Sequence, residues 1–214
     1  MSIKDTYTVK SIKSKETHDW LLNKHYAKRI PPIMWAFGLF DDYLQGVCTF
    51  GKPTSHTLCD GIAGKDNSHM VYELSRLVIN DDCPKNTASY FVSKCLKMLP
   101  NDLIVVSFAD KSIGHVGKVY QATNWVYTGL SKKRSSWRYV DGKNKHHRGI
   151  TDNKSYDELR NDDRFEYIPN PRKHRYVYFT GKKYKLNYPI KPYPKGDSKR
   201  YDASYKPQVQ TTLF

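Results

Sequence analysis

A few positions in this 214-residue chain join a reactive side chain to surroundings that restrict what it can do. Arg76 sits inside the apolar run Val71–Ile79 (VYELSRLVI), where a buried guanidinium costs free energy unless it is paired or used. Glu73 is three residues away, and strict strand alternation points the two side chains to opposite faces, so they cannot pair simply within the strand. Arg76 is therefore read as a hydrogen-bond donor or phosphate contact, with an ion pair to another element as the alternative. Asp110 follows the buried run Leu103–Phe108, at the end of a strand where open α/β sheets place ligands. Its carboxylate is a candidate general base or hydrogen-bond acceptor, or else a helix N-cap. Ser107 is a candidate catalytic hydroxyl, or an inward-facing strand hydroxyl. His25-Tyr26 closes a helical stretch before Pro31-Pro32. A proton shuttle and a histidine suited to a helix C-terminus are the two readings of His25.

The elements that must position these groups follow from periodicity. Tyr7–Ile12 alternates as a strand, and Thr17 caps a helix running to about Tyr26. Trp35–Phe40, the turn Asp41-Asp42 and Leu44–Phe50 form a hairpin. Residues 51–70 are rich in Gly, Ser, His and Asp and read as a long loop of the kind that carries function or covers a site. Val71–Ile79 is a strand, Asn80–Asn86 a polar turn, and Thr87 caps a helix to Met98 with Tyr90, Phe91, Lys94, Cys95 and Met98 on one stripe. Leu103–Phe108 is a strand, Gly114–Asn124 a helix and Trp125–Leu130 a strand. This order is an α/β, or α+β, mixed sheet with helices on both faces. Beyond residue 130, Trp137–Val140, Asp141-Gly142 and Lys143–Arg148 resemble a hairpin with a charged return strand. Arg175–Phe179 and Lys182–Leu186 resemble a second, and from Asn187 the prolines and polar residues suggest a flexible tail.

Composition narrows the function classes. Net charge is +15 and lies mostly in the C-terminal part: residues 1–127 hold 15 Lys and Arg against 12 Asp and Glu, and residues 128–214 hold 21 against 9. Ten of the 17 tyrosines accompany the second segment. Basic side chains neutralise phosphates and aromatic rings stack on bases, so nucleic acid is the expected partner. No apolar run has the length of a membrane span and no secretory leader is evident, so a cytoplasmic protein without membrane contact is expected. Cys48, Cys59, Cys83 and Cys95 form no CxxC pair, which argues against a zinc ribbon or a redox dithiol.

The order of elements over residues 7–130 resembles the GNAT acyltransferase fold, and Tyr120-x4-Trp125-x3-Gly129 matches the pattern by which that fold's last helix enters a strand. Within that superfamily, His25-Tyr26, Glu73-Leu-Ser-Arg76-Leu, Ser107-Phe-Ala-Asp110 and Gly114-His115-x-Gly117-x-x-Tyr120-Gln121 together resemble the bacteriophage Mom DNA-modification proteins, over about residues 20–180. The resemblance implies a transferase that converts adenine N6 in duplex DNA to a carbamoylmethyl (glycinamide-type) derivative, protecting DNA from restriction. It implies a catalytic unit over 1–130, a basic DNA-binding extension over 131–186 packed on it, and a tail over 187–214. The donor is either acetyl-CoA or glycyl-tRNA. Ordinary GNAT enzymes hold the coenzyme A pyrophosphate on a glycine-containing loop at a helix N-terminus. The equivalent stretch Asn80–Ala88 has no glycine, carries Asp81 and Asp82 and includes Pro84, which disfavours acetyl-CoA in the usual manner. No nicotinamide or flavin is implied.

Adenine N6 is a poor nucleophile, so such an enzyme must relieve it of a proton and steady charge on the donor. Asp110, Arg76, His25, Tyr26 and Ser107 are the catalytic candidates, with Glu73, Ser75, His115, Gly117, Tyr120 and Gln121 around a flipped base or the donor. The resemblance also associates iron, for which His25, Tyr26 and Asp110 would supply an O/N set; their spacing alone does not show one. Trp137, Arg138, Lys143, Lys145, His146, His147, Arg148, Arg172, Lys173 and Arg175 are the candidate DNA contacts. The terminus Gln210-Thr-Thr-Leu213-Phe214 resembles peptides that dock on the bacterial sliding clamp. The rival functions are a non-catalytic DNA-binding or replication accessory protein, and a GNAT-like transferase acting on tRNA or protein.

Overall fold

Backbone pairing in the computed structural model, which describes residues 2–140 and 154–196, builds one seven-stranded sheet and a separate two-stranded ribbon. The strands are β1 Thr8–Ser11, β2 Trp35–Phe40, β3 Leu44–Gly51, β4 Val71–Ile79, β5 Ile104–Asp110, β6 Val126–Leu130, β7 Ser135–Tyr139, β8 Phe165–Pro169 and β9 Lys173–Phe179. The sheet order is β1-β2-β3-β4-β5-β9-β6, and only the β4–β5 pair is parallel. The helices are α1 Ile3–Thr6, α2 His56–Ala63, α3 Thr87–Met98, α4 Lys118–Ala122 and α5 Tyr156–Arg160. The α/β mixed sheet expected from the element order is thus present. Among the described residues no helix is long and apolar enough to cross a membrane.

Each face of the sheet buries its own cluster. On one face Phe37, Cys48, Phe50 and Leu74 pack with Phe91, Val92, Cys95 and Leu96 of α3 and with Trp125. That stripe is rotated from the expected one, since Lys94 and Met98 are exposed while Val92 and Leu96 are buried. On the other face Trp20 and Leu21 pack against Val47 and Val78, and Cys59, Ile62 and Ala63 of α2 pack against Val71, Ile104 and Val177. Apolar burial on both faces is the main stabilising term for such a sheet.

Several expected elements differ. The first helical stretch begins at Ser14 and ends at Lys24, and its last turn is wide: the His25 N–H donates to Trp20 O at 2.9 Å. Thr17 caps nothing; its hydroxyl donates back to Ser14 O. The expected loop at 51–70 contains α2, capped by Ser55 Oγ accepting from the Leu58 N–H, with Cys59, Ile62 and Ala63 supplying its buried stripe. The expected helix 114–124 is reduced to a tight turn at Lys111–Ile113 and the short α4, because Gly114 and Gly117 both take left-handed backbone. Gly117, with φ +79°, also lies where a Cβ would meet the Tyr176 ring at 2.4 Å, so both conformation and space require glycine there.

The C-terminal part departs most. β7 pairs with β8, from Ser135↔Pro169 to Tyr139↔Phe165, while the expected return strand Lys143–Arg148 lies outside the described residues. Arg175–Phe179 forms no local hairpin with 182–186. It belongs to β9, which enters the main sheet between β5 and β6. Residues 187–196, expected to begin a free tail, are laid on the sheet: the Lys191 N–H donates to Tyr127 O, the Tyr193 hydroxyl to Trp125 O, and Tyr188 covers the Arg175 guanidinium at 3.4 Å. Lys143, Lys145, His146, His147, Arg148, Gln210, Leu213 and Phe214 lie outside the described residues.

Candidate active site

The parallel strands β4 and β5 share only three paired positions, Val71↔Ile104, Tyr72↔Val105 and Glu73↔Val106, and then part. Beyond the last pair, one hydroxyl bridges the opening. Ser107 is 1% exposed, and its Oγ donates to Leu74 O at 2.9 Å. With that proton committed, the Tyr120 hydroxyl, 2.8 Å away, donates to Ser107 Oγ. Ser107 is therefore a staple at the parting and no free nucleophile. Burial above all, and nearby acidic groups, raise the Tyr120 phenol, and the contact with Ser107 offsets this only in part.

A β-bulge decides which side chains enter the opening. Phe50 pairs with Leu74 and Thr49 with Arg76, leaving Ser75 as an extra residue on β4. Alternation is thereby broken: Leu74 and Leu77 both pack with the α3 cluster, and Glu73 and Arg76 both face the other side. The expectation that these two diverge is corrected by this one residue. The cavity at the parting has a volume of about 400 Å³. Its lining unites residues of both sheet faces, so it passes through the gap. His25, Tyr26, Glu73, Arg76, Asp110 and Lys173 form one group, and Asn80, Asp81, Pro84, Asn86, Ala88 and Lys118 another.

The first group is electrostatically opposed by design of its neighbours. Arg76 Nη1 donates to Ser75 O at 2.6 Å, while its Nε is buried without a hydrogen-bond partner among the described residues. Burial lowers the guanidinium, and Tyr26 and Glu73 favour its charge. Burial raises the Glu73 carboxyl, and the positive charges of Arg76, Lys173 and Arg29 only partly offset it. Asp110 goes the other way. Burial alone would raise it, but hydrogen bonds from Ser112 and Lys173 outweigh that and hold it below the usual carboxylate range. Its Oδ1 accepts from Ser112 N (2.9 Å) and Oγ (2.6 Å), and its Oδ2 lies 3.0 Å from Lys173 Nζ. Asp110 is thus both the cap of the following turn and a charged acceptor in the cavity. Two carboxyl groups with oppositely displaced acidities in one pocket suit a division between base and anchor.

His25 is 5% exposed, and its Nδ1 accepts from the Ala27 N–H at 3.0 Å, which places the proton of the neutral ring on Nε2. Burial first, then Arg76, Lys173 and His115, pull it down to about 3. Tyr26 stacks on it with centroids 4.3 Å apart and is 41% exposed; desolvation, with Asp110 and Glu73, raises its pKa, which Lys173 and Arg76 only partly offset. These groups do not fit an iron. Both Asp110 oxygens are engaged, His25 Nδ1 is engaged, and the Lys173 ammonium and Arg76 guanidinium oppose a cation at that point. Among the described residues no group of three His, Cys, Asp or Glu could hold a metal.

Other expected residues separate from the cavity. Gln121 Nε2 donates to Val116 O, Tyr176 Oη and Pro194 O, and ties α4 to the final segment. Ser75, His115 and Gly117 do line the cavity. Arg175, expected to contact DNA, is 4% exposed: it donates to Thr128 Oγ1 and Thr128 O beneath Tyr188. Arg172 Nε holds Ser131 O at 2.6 Å. Trp137 packs between Tyr156 and Tyr167 rather than projecting. Lys173, also placed with the DNA contacts, is instead the partner of Asp110. Only its pairing β5–β9 register, Asp110↔Lys173, reveals that, and no local pattern signals it.

Comparison with known proteins bears on this site. The sequence model of the Mom protein family matches residues 6–195. The methylcarbamoylase Mom of Escherichia phage Mu is 27% identical over 209 residues, covering 88% of this chain and 86% of that protein. Among solved structures, a GNAT-family acetyltransferase from Bacillus cereus is 12% identical, with a TM-score of 0.43 over 81% of this chain and 96% of its own. An acetyltransferase of Salmonella typhimurium with its cofactor acetyl-CoA is 8% identical, with a TM-score of 0.47 over 84% of this chain and 96% of its own.

Proposed function

This chain belongs to the Mom protein family, and we propose that it is a transferase that modifies adenine at N6 in duplex DNA, giving a carbamoylmethyl-type derivative that blocks restriction. The observation that carries this is the convergence of Glu73, Arg76 and Asp110 in one cavity at the parting of β4 and β5. A DNA-binding accessory protein has no use for a half-buried guanidinium grouped with two carboxyl groups in one cavity. The relative from phage Mu is by name a methylcarbamoylase, a transfer of a group isomeric with the carbamoylmethyl group proposed here.

In this scheme the adenine leaves the stack and enters the cavity from the His25–Tyr26 side. Asp110, ionised and held by Ser112 and Lys173, accepts one N6 proton as a hydrogen bond and orients the amine. Glu73, raised toward the working pH by burial, takes the other proton as the new N–C bond forms. Arg76 donates to the oxyanion that develops on the donor carbonyl. Neutral His25 stacks with Tyr26 and avoids adding a third positive charge to those of Arg76 and Lys173.

The second group of lining residues would receive the donor. Thr87 N–H, the first of α3, already donates to Pro84 O, and Asn86 takes left-handed backbone, which removes part of an anion-binding helix end. Asp81, however, is paired with the buried Lys24 at 3.2 Å, so the repulsion of phosphate is smaller than two free carboxylates would give. A glycyl-tRNA fits best. Its glycyl group has the composition of the added unit, and Lys132, Lys133 and Arg134, all exposed, give nucleic acid a basic approach. Attack of N6 breaks the glycyl ester and releases the tRNA 3′-hydroxyl, which takes the proton held by Glu73; the glycyl amide so formed is an isomer of the carbamoylmethyl product, so an exchange of the two nitrogens between the carbonyl and methylene carbons would follow transfer. Expression of the chain in bacteria, with mass spectrometry of plasmid nucleosides, tests the function. A new adenine derivative is expected, with fragmentation distinguishing the isomers; unmodified adenine at high expression would contradict it.

A further inference from the structure

The ribbon β7–β8 has two unlike faces. Trp137, Tyr139, Phe165 and Tyr167 alternate onto one, where Leu159 of α5 covers them; Leu159 is 2% and Phe165 7% exposed. The other face carries Ser136, Arg138, Glu166 and Ile168: Arg138 and Glu166 are exposed on it, Ile168 is half-buried and Ser136 is buried. Its side chains are held in place. Ser136 Oγ donates to Asn170 Oδ1 at 2.8 Å, and Arg138 Nη2 donates to the same oxygen at 3.0 Å. Arginine can only donate, so the amide orientation is fixed, and both Asn170 Nδ2 protons point elsewhere. Among the described residues nothing accepts them. Arg138 lies directly across from Glu166 on this face, yet among the described residues no ion pair joins the two.

This combination suits base edges rather than phosphates. A carboxylate beside the arginine opposes a phosphate contact, whereas the major groove presents both acceptors (guanine O6 and N7) and donors (the amines of adenine and cytosine). A two-stranded ribbon fits that groove, which is about 12 Å wide. Phosphate contacts have their own residues at the root of the ribbon, Lys132, Lys133 and Arg134. The root is also fixed to the cavity. The Ser131 N–H donates to Lys173 O at 2.8 Å, the Lys173 N–H donates to Ser131 Oγ at 2.9 Å, and Lys173 Nζ pairs with Asp110. Asn170 is three residues before Lys173, roughly 10 Å along an extended chain, or about three base steps of duplex.

We infer, on the premise that the chain acts on duplex DNA, that the face of this ribbon bearing the exposed Arg138 and Glu166 lies in the major groove beside the target adenine and selects sequence. Arg138, braced by Asn170 and Ser136, is the group that selects a guanine within a few base pairs. The test is a binding selection by the full chain from duplexes randomised around one adenine, followed by sequencing. The wild type is expected to enrich guanine at one fixed offset, on the order of 10-fold. Arg138→Lys keeps the charge but loses the fork, and is expected to abolish that enrichment while total binding at low salt changes little. The inference is overturned if Arg138→Lys enriches the same bases as the wild type, or if the wild type enriches none. Nucleoside mass spectrometry in parallel separates the two ideas. Unmodified adenine with a guanine preference lost in Arg138→Lys leaves the readout standing and removes the enzymatic function, whereas modified adenine without a base preference does the reverse.

Discussion

Replacing Lys173 by methionine isolates the interaction on which the acidity of the cavity depends. Lys173 Nζ lies 3.0 Å from Asp110 Oδ2. At that separation Coulomb attraction is about 1.4 kcal/mol in water and about 5.5 kcal/mol at an effective dielectric of 20. The lysine side chain is 42% exposed and the aspartate side chain 10%, so solvent screens one partner and the value belongs near the lower bound. About 1–2 kcal/mol is a fair magnitude, equivalent to about one unit of acidity. Asp110 is depressed in the folded state, so its contribution to stability is present above its unfolded acidity constant and is lost as pH falls through the folded one. Lys173→Met should therefore lose about 1–2 kcal/mol at neutral pH and less below pH 3. Lys173 also lowers Glu73, so both carboxyls move upward in the variant. The acid limb of the modification rate, measured at saturating duplex, should move to higher pH by up to about one unit. Carbon NMR of the labelled side chains follows the two titrations directly. Unchanged titrations, or an acid limb that moves downward, would refute the electrostatic account of the cavity.

Other outcomes follow from the same geometry. His25 is held near 3 in the folded chain against an ordinary 6.5, so stability is complete above about pH 6.5 and is lost toward pH 3. Acidification from pH 6.5 to 5 should remove up to about 2 kcal/mol in urea titrations, and His25→Asn should flatten that limb. Arg175→Met should cost about 2–4 kcal/mol of stability, because it removes two buried hydrogen bonds and the stack under Tyr188. Its salt slope for DNA binding should match the wild type, and a smaller slope would restore Arg175 as a phosphate contact. Gly117→Ala should lower stability by about 2 kcal/mol or more, read in urea titrations, through left-handed backbone and the Tyr176 contact; a neutral result would contradict the close approach. Labelled glycyl-tRNA should pass its label to duplex DNA with purified protein, and labelling from acetyl-CoA without tRNA would remove the proposed donor.

What could be read in advance was local. Val71–Ile79 and Thr87–Met98 carry their own periodicity and form with those bounds, and Asp110 could be placed from its strand end, whereas its grouping with Arg76 came from the family resemblance. The bulge at Ser75 could not be read, since an extra residue leaves no mark in a sequence where Leu74 and Leu77 are both apolar. It reverses the relation of Glu73 to Arg76. Helix α2 was obscured by Gly61 and its polar neighbours, although Ser55 and Leu58 mark its start. The largest misreading concerns β9. Short-range turn chemistry at Gly181 suggested a hairpin, while long-range pairing with Ile104–Asp110 placed 173–179 in the sheet. With that pairing, Lys173 went from the DNA surface to the cavity and Arg175 to the interior. Basic residues can be counted in a sequence, but which of them face solvent is decided by tertiary packing.

The central claim is that the cavity between β4 and β5 performs the transfer and the basic surface only delivers DNA to it. Its most direct test compares the wild type, Asp110→Asn and Arg76→Met for duplex affinity and for the adenine derivative in the same DNA. The account predicts near-equal affinity for all three, with the derivative present only for the wild type. A derivative that persists in both variants, or that disappears only in proportion to lost affinity, would contradict it.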